Sequence, residues 1–302
     1  GTDKTSRDRD CAGNGVMAGD RDSVPDAAGG SREPQYGIPL PECLRLPVAH
    51  RSLVWQLLKR DLHANVRASI LGLGWIIITP LVLVAIYTFV FGVVLESAWF
   101  SRAGNPLEVP LIYFTGLIAF SFFMEVITRA PDFIRANKTY VTKIVFPVEV
   151  LDWVLVGTAL LKLAASLVLL TVFLAIVKGG LPAGLLAVPL VLLPFVLLTT
   201  GLAWFLSAVG TYVRDLNQLL LAIGPVLMFI SPIFYSIDQV PEAFRPFFWA
   251  NPLTFVLETL RSLLFFDGGI AWQAYGLYWI GALAVFTGGF AFFRRARPGF
   301  AD

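Results

Sequence analysis

The sequence predicts an all-α membrane protein: six transmembrane helices, an N-terminal amphipathic interface helix, and re-entrant helices between spans five and six. Three observations carry that prediction. Of 302 residues, 57% are apolar and only 15% charged, with a mean hydropathy of +0.73, whereas soluble domains carry about a quarter charged residues. Six apolar stretches are long enough, at about 1.5 Å per residue, to cross a hydrocarbon core of about 30 Å as helices. Lysine and arginine gather in alternate connections, as the inner loops of a multi-pass protein do.

The chain divides into a tail at 1–34, an amphipathic interface segment at 35–69 and the six-helix domain at 70–295. Gly1 to Gly30 is rich in Gly, Asp, Arg and Ser. So polar a stretch cannot offset its ordering entropy by burial, which predicts disorder. It also lacks the apolar run of a secretory signal. Cys11 and Cys43 have no spacing typical of a disulfide framework or zinc site and read as free thiols. Between His50 and Arg67, Val54, Leu58, Leu62 and Val66 fall on one helical side, with Lys59, His63 and Arg67 on another. This pattern fits a helix lying on the inner leaflet, or a plain juxtamembrane anchor.

The spans are Leu71 to Leu95, Pro110 to Thr128, Val150 to Val177, Gly184 to Val213, Leu219 to Ile237 and Ala271 to Phe293. The fourth contains Pro189 and Pro194, so a single kinked or tilted crossing is expected there. Cations cluster before span one (Arg51, Lys59, Arg60, Arg67), after span two (Arg129, Arg135, Lys138, Lys143) and after span six (Arg294, Arg295, Arg297). The other connections show no comparable excess. An even number of spans puts all three clusters on one side, and the positive-inside rule makes that side the cytoplasm, with both termini in it.

Two further pieces do not span. Arg129 to Pro147 is long enough for a short helix projecting from the membrane, or for a solvated loop. Ser231 to Phe266 stays apolar although Pro241, Pro246 and Pro252 interrupt it. Such a segment either dips back into the membrane beside protein or a watery cavity, or lies flat on the outer leaflet.

Chemistry is excluded more readily than assigned. No Gly-x-x-x-x-Gly-Lys-Ser/Thr loop occurs and none of the six lysines follows a glycine, so ATP, if used, belongs to another subunit. His50 and His63 are the only imidazoles, which leaves no metal cluster and no nucleophile-base pair. No catalytic, cofactor-binding or metal residue is assigned, and the chain is not an enzyme by itself. A net charge of +2 gives no reason for a nucleic-acid partner. Glu125 and Asp152 lie near inner span ends and can reach the interface. Lys162 is deeper and must snorkel, find an acidic partner or face an aqueous path. Among the 25 phenylalanines, a subset lining a channel would offer flat faces to sugar rings. Tyr87, Phe91, Phe122 and Phe123, with Lys162, are the candidates for a translocation path.

Several runs then stand out in order: Leu58-Lys59-Arg60-Asp61-Leu62, Ser69-Ile70-Leu71-Gly72-Leu73-Gly74-Trp75, Thr79-Pro80-Leu81 and Phe89-Val90-Phe91-Gly92. Asn137, Lys143-Ile144, Phe146-Pro147 and Tyr212-Val213-Arg214-Asp215-Leu216 follow, then Ser231-Pro232-Ile233-Phe234-Tyr235 and Asn251-Pro252-Leu253. Over about residues 50 to 295 this sequence resembles the permeases of polysaccharide-exporting ABC transporters, which move O-antigen, capsule or teichoic acid. The resemblance implies a homodimer joined to two cytoplasmic ATP-binding cassette subunits, which bind ATP and Mg, and a lipid-linked polysaccharide as cargo. It implies an ATPase-facing role for Arg51, Lys59 and Arg60 and a coupling helix carrying Arg135, Asn137, Lys138 and Lys143. It also implies a re-entrant piece marked by Pro241, Pro246, Asn251, Pro252 and Arg261. Alternatives are a permease of the same fold exporting a drug or lipid, and a membrane glycosyl- or phospho-transferase. The latter needs acidic or histidine clusters where this sequence has scattered carboxylates.

Overall fold

The computed structural model describes residues 45, 47–66, 74–90, 106–137 and 148–297. The expected disordered tail, both cysteines, Arg67, Phe91, Lys138 and Lys143 lie outside the described residues. Among the described residues nine helices follow in order: α1 (Arg51–Val66), α2 (Trp75–Thr88), α3 (Val109–Ala136), α4 (Glu149–Lys178), α5 (Val188–Tyr212), α6 (Leu216–Ile230), α7 (Arg245–Ala250), α8 (Pro252–Phe265) and α9 (Trp272–Ala296). No strand occurs among the described residues.

Among the described residues four helices are long and apolar enough to cross a membrane: α3, α4, α9, and α5 together with the 3₁₀ turn at Ala183–Ala187 that leads into it. Apolarity drives their burial in lipid and against one another, and their intrahelical bonds satisfy the backbone. α2 and α6 are apolar but shorter, at 14 and 15 residues. α5 runs unbroken through both of its prolines. Pro189 sits in the first turn, where an amide N–H has no intrahelical partner in any case.

Two expected boundaries are corrected. Span two does not end at Thr128, because α3 continues about two turns further to Ala136. Arg129 and Arg135 therefore ride on a rigid helix rather than in a loop. Span five does not reach Ile237, because α6 stops at Ile230, where Ser231 turns extended. The residue before a proline avoids the helical region, and Pro232 follows. Hydropathy continues across that point, but the helix does not.

α5 occupies the centre, packed against α9, α3, α4 and α8, while α3 also meets α2 and α6. Cross-helix bonds define two ends. At one, Arg297 Nη1 lies 3.1 Å from Glu149 Oε1, Tyr212 Oη donates to Ala296 O at 3.0 Å, and Asn217 Nδ2 donates to Asp132 Oδ2 at 2.6 Å. At the other, Lys178 Nζ donates to Leu264 O at 3.0 Å and Tyr275 Oη to Leu190 O at 2.9 Å. The cations of α1, α3 and α9 thus share one end, called here the basic end.

The core is aromatic where α4, α5 and α9 meet. Trp204 is fully buried, and the rings of Trp153, Phe286 and Phe290 sit 5.8, 5.1 and 4.9 Å from it. Its indole N–H is satisfied by Glu149 O at 3.1 Å, as a buried tryptophan requires. Beside this cluster α5 and α9 touch backbone to backbone. A Cβ on Gly289 would fall 2.0 Å from Gly201 O, and one on Gly201 would fall 2.4 Å from Val285 O. Without side chains between them, the helices gain close van der Waals contact, the main attraction available in lipid.

A substitution at this seam is therefore costly. Gly289→Val should destabilise the chain by roughly 1–3 kcal/mol, the typical penalty of overpacking, seen as a lower midpoint in detergent thermal unfolding. Gly288→Ala is the control, since a Cβ there meets nothing within 4 Å, and its midpoint should hold or rise.

Candidate functional site

Two polar constructions stand out in an otherwise apolar molecule. The first joins α1 to the bundle. Leu57 and Leu58 are buried, with Leu53, Val54 and Leu62 packed beside them, so the amphipathic face rests mainly on α4. A Cβ on Gly157 of α4 would lie 2.8 Å from Leu58 Cδ1. With α1 seated in this way, Asp61 meets α3: Arg129 Nη2 donates to its two oxygens at 2.8 and 2.9 Å. Arg129 Nη1 then donates to Glu125 Oε1 at 3.2 Å, and Lys162 Nζ of α4 donates to that same oxygen at 2.5 Å. Asp61, Arg129, Glu125 and Lys162 thus form a line of alternating charge across three helices. Of the three fates open to Lys162 in the sequence, an acidic partner is the one realised.

Nearer the tip of α3, Arg60 Nη2 donates to Asn137 Oδ1 at 2.6 Å, and Asn137 Nδ2 donates to Phe133 O at 2.9 Å. Asp132 accepts from Arg135 on its own helix and from Asn217 of α6. A cleft of about 620 Å³ opens among Arg60, Asp132, Asn137 and Asn217. Of the expected ATPase-facing residues, Arg51 and Lys59 are exposed on α1, Lys59 lying 5.1 Å over the Trp55 ring. Arg60, Arg135 and Asn137 belong to the polar cluster.

The second construction secures the break after α6. Arg261 on α8 is 1% exposed and donates to both Pro232 O and Ile233 O, with Glu258 3.6 Å away. Those carbonyls have left the α6 ladder, and in apolar surroundings each needs a donor. Gly116 of α3 makes the room, since a Cβ there would crowd Arg261 Nη2 at 3.1 Å. Asn251 holds the other side: its Nδ2 donates to Ser231 Oγ at 2.9 Å, while its Oδ1 caps α8 by accepting from Leu253 N at 3.0 Å. Pro252 follows at the first helical position, where its missing N–H costs nothing. Pro246 likewise opens α7, and Arg245 Nε donates to Val240 O, just before Pro241, at 3.0 Å.

Other sequence candidates are placed differently. Phe122 and Phe123 do not form an exposed wall: both are buried, 5.5 and 6.1 Å from the Phe195 ring, and Phe122 also borders a cavity beside Lys162. Their helical register turns them toward α5. Tyr87 is on α2 with its side chain outside the described residues. Asp152 is not at a surface of the chain; it is fully buried and accepts from Ser207 Oγ at 2.5 Å. Sequence reasoning missed Asp61, Asn217 and the carbonyl partners of Arg261. The Asn251-Pro252 pair, a cap followed by proline, was the one local signal available.

Among the described residues no group of His, Cys, Asp and Glu gathers as metal ligands would. Among the described residues, four long apolar helices and charges bonded to one another across helices define a multi-pass membrane protein. The pattern of the ABC-2 type transporter family matches residues 52–265, and the chain belongs to that family. It is 27% identical over 249 residues to the O-antigen export system permease protein RfbA of Klebsiella pneumoniae, covering 80% of this chain and 91% of that protein. The protein of the same name from Myxococcus xanthus is 26% identical over 219 residues, covering 72% and 81% respectively.

Both constructions predict measurable losses. Arg261→Met strips donors from two buried carbonyls and should cost about 3 kcal/mol, read as a fall in the thermal midpoint of the purified chain. Arg129→Ala leaves Asp61 without its guanidinium and Glu125 with Lys162 alone, at partly exposed positions, and should cost roughly 1–3 kcal/mol. Adding Asp61→Asn should restore part of that loss, and a double-mutant cycle showing no coupling would deny the link.

Proposed function

We propose that this chain is the membrane-embedded permease of an ATP-driven exporter that carries lipid-linked polysaccharide of the O-antigen kind across the inner membrane. It works as two copies with two cytoplasmic ATP-binding cassette subunits, which bind ATP and Mg. The observation that carries the reading is similarity along four-fifths of the chain to permeases named for O-antigen export. The absence of a phosphate-cradling loop from this sequence accords with ATP hydrolysis in a separate subunit.

In this reading the basic end faces the cytoplasm, α2 and α6 complete six crossings, and both chain ends lie inside. α7 and α8 re-enter from the outer side. Eleven of the fourteen residues of α8 are buried, yet its length of about 21 Å falls short of a bilayer crossing. The ATPase dimer closes on α1 and the end of α3, where Arg51, Lys59, Arg60, Arg135, Asn137, Lys138 and Lys143 supply the contact. The bonds Arg60–Asn137 and Asp61–Arg129 make those two helix ends move together. The glycan passes between two copies rather than through one bundle, whose interior is filled by Phe122, Phe123 and Phe195. Tyr87 and Phe91, toward the far end of the first span, remain the aromatic candidates for that path. Transport then requires the nucleotide-bound partner to favour the open arrangement energetically over the closed one.

Two measurements test this. ATP turnover of the reconstituted complex should rise with lipid-linked O-polysaccharide and stay flat with hydrophobic drugs; the reverse response would replace the cargo. Arg135→Glu with Lys138→Glu should reduce co-purification of the ATPase subunit about tenfold or more and abolish export, with membrane insertion unchanged, because charge reversal acts on association.

A further inference from the structure

The cavity beside Lys162 has features that a polysaccharide path does not require. It measures about 360 Å³, within the roughly 300–1,000 Å³ of small-molecule sites. α2, α3 and α4 form most of its walls and Leu62 of α1 closes one side, with Pro80, Leu83, Leu117 and Ile118 among the apolar lining residues and Lys162, Glu125, Thr79, Ser121 and Ser166 the polar ones. It is accessible from outside the chain, since Thr79 and Ser121 are exposed.

Its hydroxyls differ from most threonines of the long helices. Thr115, Thr158, Thr171, Thr199, Thr259 and Thr287 each donate to the carbonyl four residues back, the usual way to satisfy a hydroxyl on an apolar helix. Thr79, Ser121 and Ser166 make no hydrogen bond among the described residues. The charged pair is also incompletely used. Lys162 and Arg129 both bond Glu125 Oε1, which leaves Oε2 without a hydrogen-bond partner among the described residues. An ammonium has three donors, and Glu125 takes one from Lys162.

Depth fixes the level of these groups. α4 ends at Lys178, held at the end opposite the basic one, and about 20 residues cross the hydrocarbon. Counting back from Lys178, Lys162 lies about one turn inside the boundary at the basic end. That is where lipid headgroups meet acyl chains.

Charge selects among headgroups. Asp61, Arg129, Glu125 and Lys162 sum to zero, so a lone anion would leave an uncompensated charge next to Glu125 in a low-dielectric setting. A headgroup with both a phosphate and a primary ammonium adds no net charge. Its phosphate accepts from Lys162 and the three hydroxyls, and its N–H groups donate to Glu125 Oε2. A quaternary ammonium has no N–H to give. We infer that the cavity bounded by α2, α3 and α4 binds a zwitterionic aminophospholipid, its phosphate on Lys162, Ser121 and Ser166 and its ammonium on Glu125.

The test uses the full chain, purified in detergent and incubated with equimolar phosphatidylethanolamine, phosphatidylcholine, phosphatidylglycerol and polyprenyl phosphate, the bound lipid being counted by native mass spectrometry. Phosphatidylethanolamine should be retained roughly tenfold over the other three, the worth of one or two hydrogen bonds. Glu125→Gln should erase that preference, whereas Ser121→Ala with Ser166→Ala, which leaves the ion pair and the packing in place, should lower the amount of phosphatidylethanolamine retained severalfold. Equal retention of phosphatidylethanolamine and phosphatidylcholine overturns the inference. Preference for phosphatidylglycerol or polyprenyl phosphate overturns it in favour of an anion site, and undiminished retention of phosphatidylethanolamine in the double serine variant places the lipid elsewhere.

Discussion

Hydrocarbon offers no hydrogen-bond partner, and most of what is unusual in this molecule follows from that one constraint. The long helices meet it through their own ladders. Where α6 stops at Ile230 the ladder ends, and the carbonyls of Pro232 and Ile233 are then met by a guanidinium sent from α8. A buried arginine is expensive in an apolar setting. Here Glu258 beside it and the two carbonyls in front of it offset that cost, and Gly116 gives it space. The break after α6 and the buried α8 are therefore one structural unit.

The same constraint explains why the charges of the spans are shared among helices. Glu125 serves a lysine on α4 and an arginine on α3, and that arginine continues to Asp61 on α1. No member lies deep in the bundle alone. The arrangement ties the amphipathic helix to two membrane helices by directional bonds as well as by the apolar contact of Leu57 and Leu58.

How much of this could be read beforehand depends on whether the deciding contact was local. The four long helices, the amphipathic character of α1 and the gathering of cations at one end follow from periodicity and composition within short windows. The end of α6 did not, because apolar side chains run on past Ile230 while the backbone changes course at Ser231-Pro232. Lys162 was visibly anomalous, but its partner lies 37 residues away on another helix, and helix-to-helix register is not written in either segment. Phe122 and Phe123 were legible as aromatic yet not as interior, since Phe195 on α5 decides their surroundings. Asp152 was expected at a surface and is instead enclosed with Ser207, again through a residue of α5.

The contact of α5 with α9 has a mechanical consequence. Backbone already rests on backbone at Gly201 and Gly289, so these helices can draw no nearer, and there are no side chains at that point to rearrange into a second fit. The pair is a fixed seam between two long helices. α6 is held quite differently, with Gly224 its one buried residue.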